Sequence, residues 1–130
     1  MGRQKTKAQH EARAQIELNA YLREKKMPGF FELKYTDTDS FSFAKIEIHQ
    51  YEGLQATEKN GLVWKLSDDD RRQKPCDSLS IPPLPSYLVI KFTDTFYFIR
   101  IKWIVNFREL GLIGITRKEA EKYAEVVMHI

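Results

Sequence analysis

The 130-residue chain reads as an α/β domain, a central mixed β-sheet flanked by helices, on three observations. Residues 30–36, 45–59 and 62–66 run strand, helix, strand, the order a parallel crossover demands, and such crossovers are right-handed. Tyr87–Phe92 and Phe96–Trp103 are aromatic and β-branched runs joined by a tight polar turn, which reads as an antiparallel hairpin. Stretches rich in helix formers open and close the chain. With 42% hydrophobic residues the length suits a single domain, 1–130, with a real core.

Residues 4–26 contain no Gly or Pro and carry a modest apolar stripe of Ala14, Ile16, Leu18, Tyr21 and Leu22, so they predict one basic N-terminal helix within residues 1–28. Met27-Pro28-Gly29 ends it. Phe30–Thr36 follows as a strand and Asp37–Ser40 as a polar turn. The second helix spans Lys45 to about Lys59, with Ile46, Ile48, Leu54 and Ala56 as packing residues and Asn60-Gly61 as a left-handed C-cap. Leu62–Leu66 is a short strand. Residues 67–86 carry Asp68-Asp69-Asp70, Arg71-Arg72 and four prolines, which suits a Pro-rich extended loop whose charges neutralise each other. After the hairpin, Ile104–Leu110 reads as a short helix and Leu112–Ile115 as extended. Thr116-Arg117-Lys118-Glu119 is a capping box, opening a last helix from Arg117 to about Met128 with Ala120, Tyr123, Ala124 and Val127 at helical spacing. Trp64 and Phe98 are expected in the core.

The net charge of +3 announces no partner by itself, but its distribution is uneven. Through Lys26 there are seven basic residues against three acids, leaving 14 against 15 in the remainder. Arg13, Arg23, Lys25 and Lys26 therefore form a candidate phosphate-contacting face on the first helix, or a plain solvated one. The single cysteine, Cys76, excludes an internal disulfide and a cysteine-based zinc cluster and fits a reducing cytoplasm. The N-terminus is charged without an apolar signal region, and no apolar run approaches the roughly 20 residues needed to span a bilayer. A cytoplasmic protein is the expectation. A Gly-rich phosphate loop, a nucleophile elbow and Cys or His pairs at ligand spacing are all missing from the sequence.

Chemistry concentrates in FFELKYT, residues 30–36. Strand alternation places Glu32 and Lys34 on one face and Phe31, Leu33 and Tyr35 on the other. A carboxylate beside an ammonium suits metal-dependent phosphodiester chemistry, but alternating charges on a solvated strand face look identical and are the commoner case. Together with the Asp37–Ser40 turn and the helix bearing His49-Gln50, this stretch resembles the RecU-type Holliday-junction resolvases of the PD-(D/E)xK nuclease superfamily, closely over about twenty residues and loosely to the chain end.

The resemblance implies a restriction-endonuclease-like core, shortened at the N-terminus. It also implies a structure-selective DNA endonuclease, dependent on Mg2+ or Mn2+ and acting on branched DNA as a homodimer. Glu32 would hold the metal, Lys34 would meet the nucleophile or phosphate, Gln50 would support them, and Glu17 on the first helix, with Glu11 and Glu24 one or two turns away, would be a second metal ligand. The chain departs from the family pattern in one respect. The family's further metal-binding Asp lies on a preceding strand, whereas here no Asp precedes Asp37 and the first helix runs almost directly into Phe30. Asp37, Asp39 and Asp77 are the substitutes the sequence offers. The alternative is a nuclease-derived fold without catalysis that binds DNA or a protein target, for example as a phage-encoded inhibitor.

Overall fold

A computed structural model of the chain describes residues 6–67 and 74–129. Over these described residues it is α/β: a four-stranded mixed sheet with a helix on one face and three on the other. In chain order the elements are α1 (Lys7–Lys25), β1 (Phe30–Thr36), β2 (Ser40–Ser42), a 3-10 turn (Phe43–Lys45), α2 (Ile48–Asn60), β3 (Leu62–Lys65) and β4 (Ser78–Ile81). There follow β5 (Ser86–Phe92), β6 (Thr95–Arg100), α3 (Ile101–Glu109), β7 (Gly114–Thr116), α4 (Arg117–Tyr123) and β8 (Val126–His129). The main sheet has the order β1-β5-β6-β8; β1 and β5 are parallel and the other pairs antiparallel. Two small ribbons, β2-β7 and β3-β4, stand apart from it.

Alternation along β5 splits the core in two. Leu88, Ile90 and Phe92 face α2, α3 and α4 and join Leu54, Ile99, Ile104 and Phe107. Tyr87 and Val89 face α1 and join Ala14, Leu18, Phe96 and Phe98. Every residue of β5 is buried, as a central strand covered on both faces requires. Helix α1 starts where Thr6 and Gln9 cap each other's backbone, and it presents Ala14 and Leu18, one turn apart, to the sheet. Ile16, placed in the apolar stripe by sequence, is instead 70% exposed. It lies two residues from both buried positions, so it turns away from them.

The parallel crossover is real but longer than predicted. β3 does not return to β1; it pairs antiparallel with β4, and the strand parallel to β1 is β5. The Pro-rich loop over 67–86 thus contains a strand, and its Asp68–Asp70 and Arg71-Arg72 lie outside the described residues. On this ribbon Trp64 is opposite Leu79, and Trp64 is 58% exposed, not core. Phe98, by contrast, is fully buried. The second helix begins at Ile48, three residues later than expected, because Phe43–Lys45 forms a separate 3-10 turn; Ile48 and Ala56 are exposed. Gly61 closes it with φ +73 but ψ −160, which is not the left-handed cap, and a Cβ there would sit 2.2 Å from the Ile81 carbonyl oxygen.

The hairpin's second strand ends at Arg100. Ile101, Ile104 and Phe107 are buried at three-residue spacing, so the predicted end of the strand at Trp103 and the predicted helix over 104–110 merge into α3. The last helix starts at Arg117 behind the predicted Thr116–Glu119 capping box but stops at Tyr123, and residues 126–129 add to the sheet edge as β8. Among the described residues no helix is long and apolar enough to cross a membrane.

Candidate functional site

β1 is an edge strand, and its even residues share the face that α2 covers. Glu32 and Lys34 therefore stand two residues apart on that face, 3.7 Å between Nζ and Oε1. Gln50 reaches them from the first turn of α2. Its side-chain oxygen accepts from the Glu47 N–H at 3.2 Å, half of a reciprocal capping box, so its amide nitrogen is the atom left to face β1. That nitrogen donates to Glu32 Oε1 at 2.6 Å. The capping box thus fixes the rotamer of Gln50, and Gln50 fixes the carboxylate. Glu32 Oε2 takes no hydrogen bond from a described residue.

These three side chains line one cleft of about 280 Å³ together with Leu33, Tyr35 and two residues of α1, Glu11 and Gln15. The cleft is polar and straddles the free edge of β1. Tyr35 is held there by a parallel ring stack on His10, 5.1 Å between centroids.

Glu32, Lys34 and Gln50 are thus brought together, whereas Glu17 is not. At about 100° per residue, Glu11 and Glu17 lie roughly 120° apart around α1, on opposite flanks of the Ala14–Leu18 stripe. Glu17 instead accepts from Lys91 Nζ at 3.4 Å and forms an ion pair with Arg13, 3.4 Å from Nε. The first-helix carboxylate in the cleft is Glu11, and the helical phase set by the buried Ala14 and Leu18 was the signal that would have found it. Arg23, Lys25 and Lys26 are exposed at the far end of α1, the nearest of them about 12 Å along the axis from Gln15 at 1.5 Å per residue. Arg13 is exposed and paired with Glu17.

His49 is mostly exposed, lies 3.2 Å from Glu47, and does not line the cleft. Asp37 and Asp39 are exposed in the turn beyond β1, and Asp77 pairs with Lys74 at 3.0 Å. Among the described residues no group of three or more His, Cys, Asp or Glu side chains converges. Compared with known protein families, with curated proteins and with solved structures, the chain finds no match in any of the three.

Proposed function

We propose that the cleft on β1 is the active site of a metal-dependent phosphodiesterase acting on branched DNA. The fold is read as a shortened restriction-endonuclease-like core of the RecU-type PD-(D/E)xK class. The observation that carries this reading is the convergence of Glu32, Lys34 and Gln50, from a strand and a separate helix, on one polar cleft. An ion pair on a plain solvated strand face has no need of a capped amide aimed at its carboxylate.

The donors suit Mg2+ or Mn2+ in a sparse way. Such hard cations take oxygen ligands, and Mg2+ is commonly held by one or two carboxylates plus substrate phosphate oxygens and waters. Glu32 and Glu11 are the carboxylates that line the cleft, so they would hold the ion. When bound, it supplies charge neutralisation at the phosphate and a more acidic water. Lys34 would set a fixed positive charge beside the phosphate oxygens, and Gln50 would keep Glu32 aimed while Lys34 engages substrate. The exposed Arg23, Lys25 and Lys26 would contact phosphates further along the duplex, where electrostatic affinity carries no sequence preference. A cytoplasmic location suits this role.

A second reading has its own support. Because no third metal-ligating side chain joins Glu32 and Glu11 among the described residues, the fold also suits a non-catalytic protein that binds DNA or a protein target. The test is incubation of the protein with four-way junction, flap and linear DNA in Mg2+ or Mn2+. The first reading expects cleavage of branched DNA that falls on the order of 100-fold in Glu32→Ala and in Lys34→Ala, a loss typical of removing one preorganised charged group. Glu11→Ala would raise the metal concentration required. Binding without cleavage, unaltered by either substitution in β1, establishes the second reading instead.

A further inference from the structure

Among the described residues the outer edge of β1 is unpaired in the main sheet. The Phe30 N–H donates to the Pro85 carbonyl at 2.9 Å, and the Thr36 carbonyl accepts from the Thr93 N–H at 3.3 Å. The backbone groups of Phe30, Glu32, Lys34 and Thr36 accordingly turn toward β5, and those of Phe31, Leu33 and Tyr35 turn outward. No turn, loop or cap hydrogen bond among the described residues satisfies that outward set. The edge is seven residues long, keeps an unbroken register with β5 and contains no proline or glycine. Such an edge is a template for a further strand.

The sequence of β1 is its own complement. We propose that a second copy of this chain adds to β1 as an antiparallel strand, related by a two-fold axis at Leu33. In that register Leu33 faces Leu33 of the second copy, Phe31 faces Tyr35, and Glu32 faces Lys34, so both opposite-charge pairs form at once. The outward backbone groups of Phe31, Leu33 and Tyr35 meet their counterparts, and the two sheets become continuous. Shifting the axis by one residue sets Glu32 against Glu32, or Lys34 against Lys34. The charges therefore select one register from its neighbours.

The pairing completes the candidate site, a consequence that rests on the hydrolase reading although the pairing itself does not. Glu32 and the Glu32 of the second copy become diagonal neighbours on the same face, roughly 7–8 Å apart. On the face that α2 covers, each Glu32–Lys34 pair then stands beside a second strand-borne carboxylate and a second ammonium from the other chain, while the added strand takes the free edge between that pair and Glu11. The carboxylate lacking within one copy is thus supplied by symmetry.

Self-association is measured by sedimentation equilibrium and tests the pairing without any cleavage assay. Wild-type protein is expected to dimerise, with Glu32→Lys and Lys34→Glu each weakening the dimer at least tenfold. An equimolar mixture of those two variants, and the doubly swapped chain, restore opposite charges across the axis and recover it. In a Cys76→Ser background, Leu33→Cys cross-links under mild oxidation because axis residues face their own copies, whereas Tyr35→Cys, which faces Phe31, does not. A monomer at every concentration overturns the proposal, and so does a dimer indifferent to the charge swaps or cross-linking equally through both positions. If wild-type dimerises as described but no DNA is cut, the pairing stands and the hydrolase reading falls.

Discussion

Two Glu–Lys pairs sit on opposite faces of the same sheet, and the strands that carry them explain why they differ. Lys91 is on β5, in register with Tyr35 of β1, and its side chain is only 8% exposed. Its ammonium lies 5.4 Å from the Phe96 ring and meets Glu17 of α1, whose second carboxylate oxygen is buried with no hydrogen-bond partner among the described residues. Lys34 is on the edge strand, less buried, and its partner Glu32 opens onto a cleft. An interior strand offers a charge nothing but the helix that covers it, while an edge strand leaves one side to solvent. The Lys91–Glu17 pair is thus a closed element of the fold. The Lys34–Glu32 pair is an open one, able to exchange its internal partner for a substrate.

The largest expected effect on stability comes from the closed pair. Lys91→Met keeps the length of the side chain and removes the charge, leaving the Glu17 carboxylate covered without its lysine. Breaking a fully buried pair from one side costs about 3 kcal/mol, and because Glu17 is 20% exposed and keeps Arg13 at 3.4 Å the loss expected here is about 2 kcal/mol. Urea denaturation should show that loss, and adding Glu17→Leu should recover most of it, since an apolar pair of similar volume needs no desolvation. A single-variant loss below about 0.5 kcal/mol would erase the distinction between the two pairs.

A smaller effect, tied to pH, is expected where β5 begins. The Tyr87 hydroxyl donates to Glu125, and burial, then the Glu125 hydrogen bond, push the phenol from 10.0 up to about 12. A folded-state pKa raised above the unfolded value means the stabilisation is fully present below pH 10 and is lost as pH rises through about 12. Tyr87→Phe should cost about 1 kcal/mol near neutral pH, the usual net worth of one hydrogen bond, and should flatten the alkaline limb of the stability curve. Chemical denaturation at a series of pH values reads both.

The sequence made some of this legible, and the reasons divide along local and non-local lines. Strand alternation in FFELKYT placed Glu32 and Lys34 on one face because that period is a property of the strand alone. The Thr116 capping box marked the start of α4 for the same reason. The partner of β3 was not readable, since pairing with Ser78–Ile81 depends on how a loop of many residues closes. Ile101–Trp103 continues an apolar run out of β6, and such a run gives no period that separates strand from helix. Val126–Met128 likewise reads as the end of the last helix by its apolar residues, although the strand β6 leaves an edge for it to cover. Glu17 rather than Glu11 reads as the first-helix ligand because phase around α1 depends on which residues the sheet buries, and Ile16 in the apolar stripe blurs it.

The smallest expected stability change belongs to the open pair, and there the comparison can be sharpened most. Glu32→Gln keeps the shape of the side chain and a carbonyl oxygen able to accept the Gln50 hydrogen bond, so the capped amide of α2 keeps its partner. Lys34 loses an ion pair at 3.7 Å but retains solvent on the cleft side, and exposed or half-exposed pairs contribute only about 0–1 kcal/mol. Urea denaturation should therefore find Glu32→Gln within about 1 kcal/mol of the wild type. A neutral amide is a far poorer ligand for a hard cation than a carboxylate, so the same variant should lose cleavage of branched DNA. Destabilisation matching that of Lys91→Met would instead make Glu32 a second closed pair. An unaltered fold and an unaltered dimer together with lost cleavage separate a charge kept for the structure from one kept for a substrate.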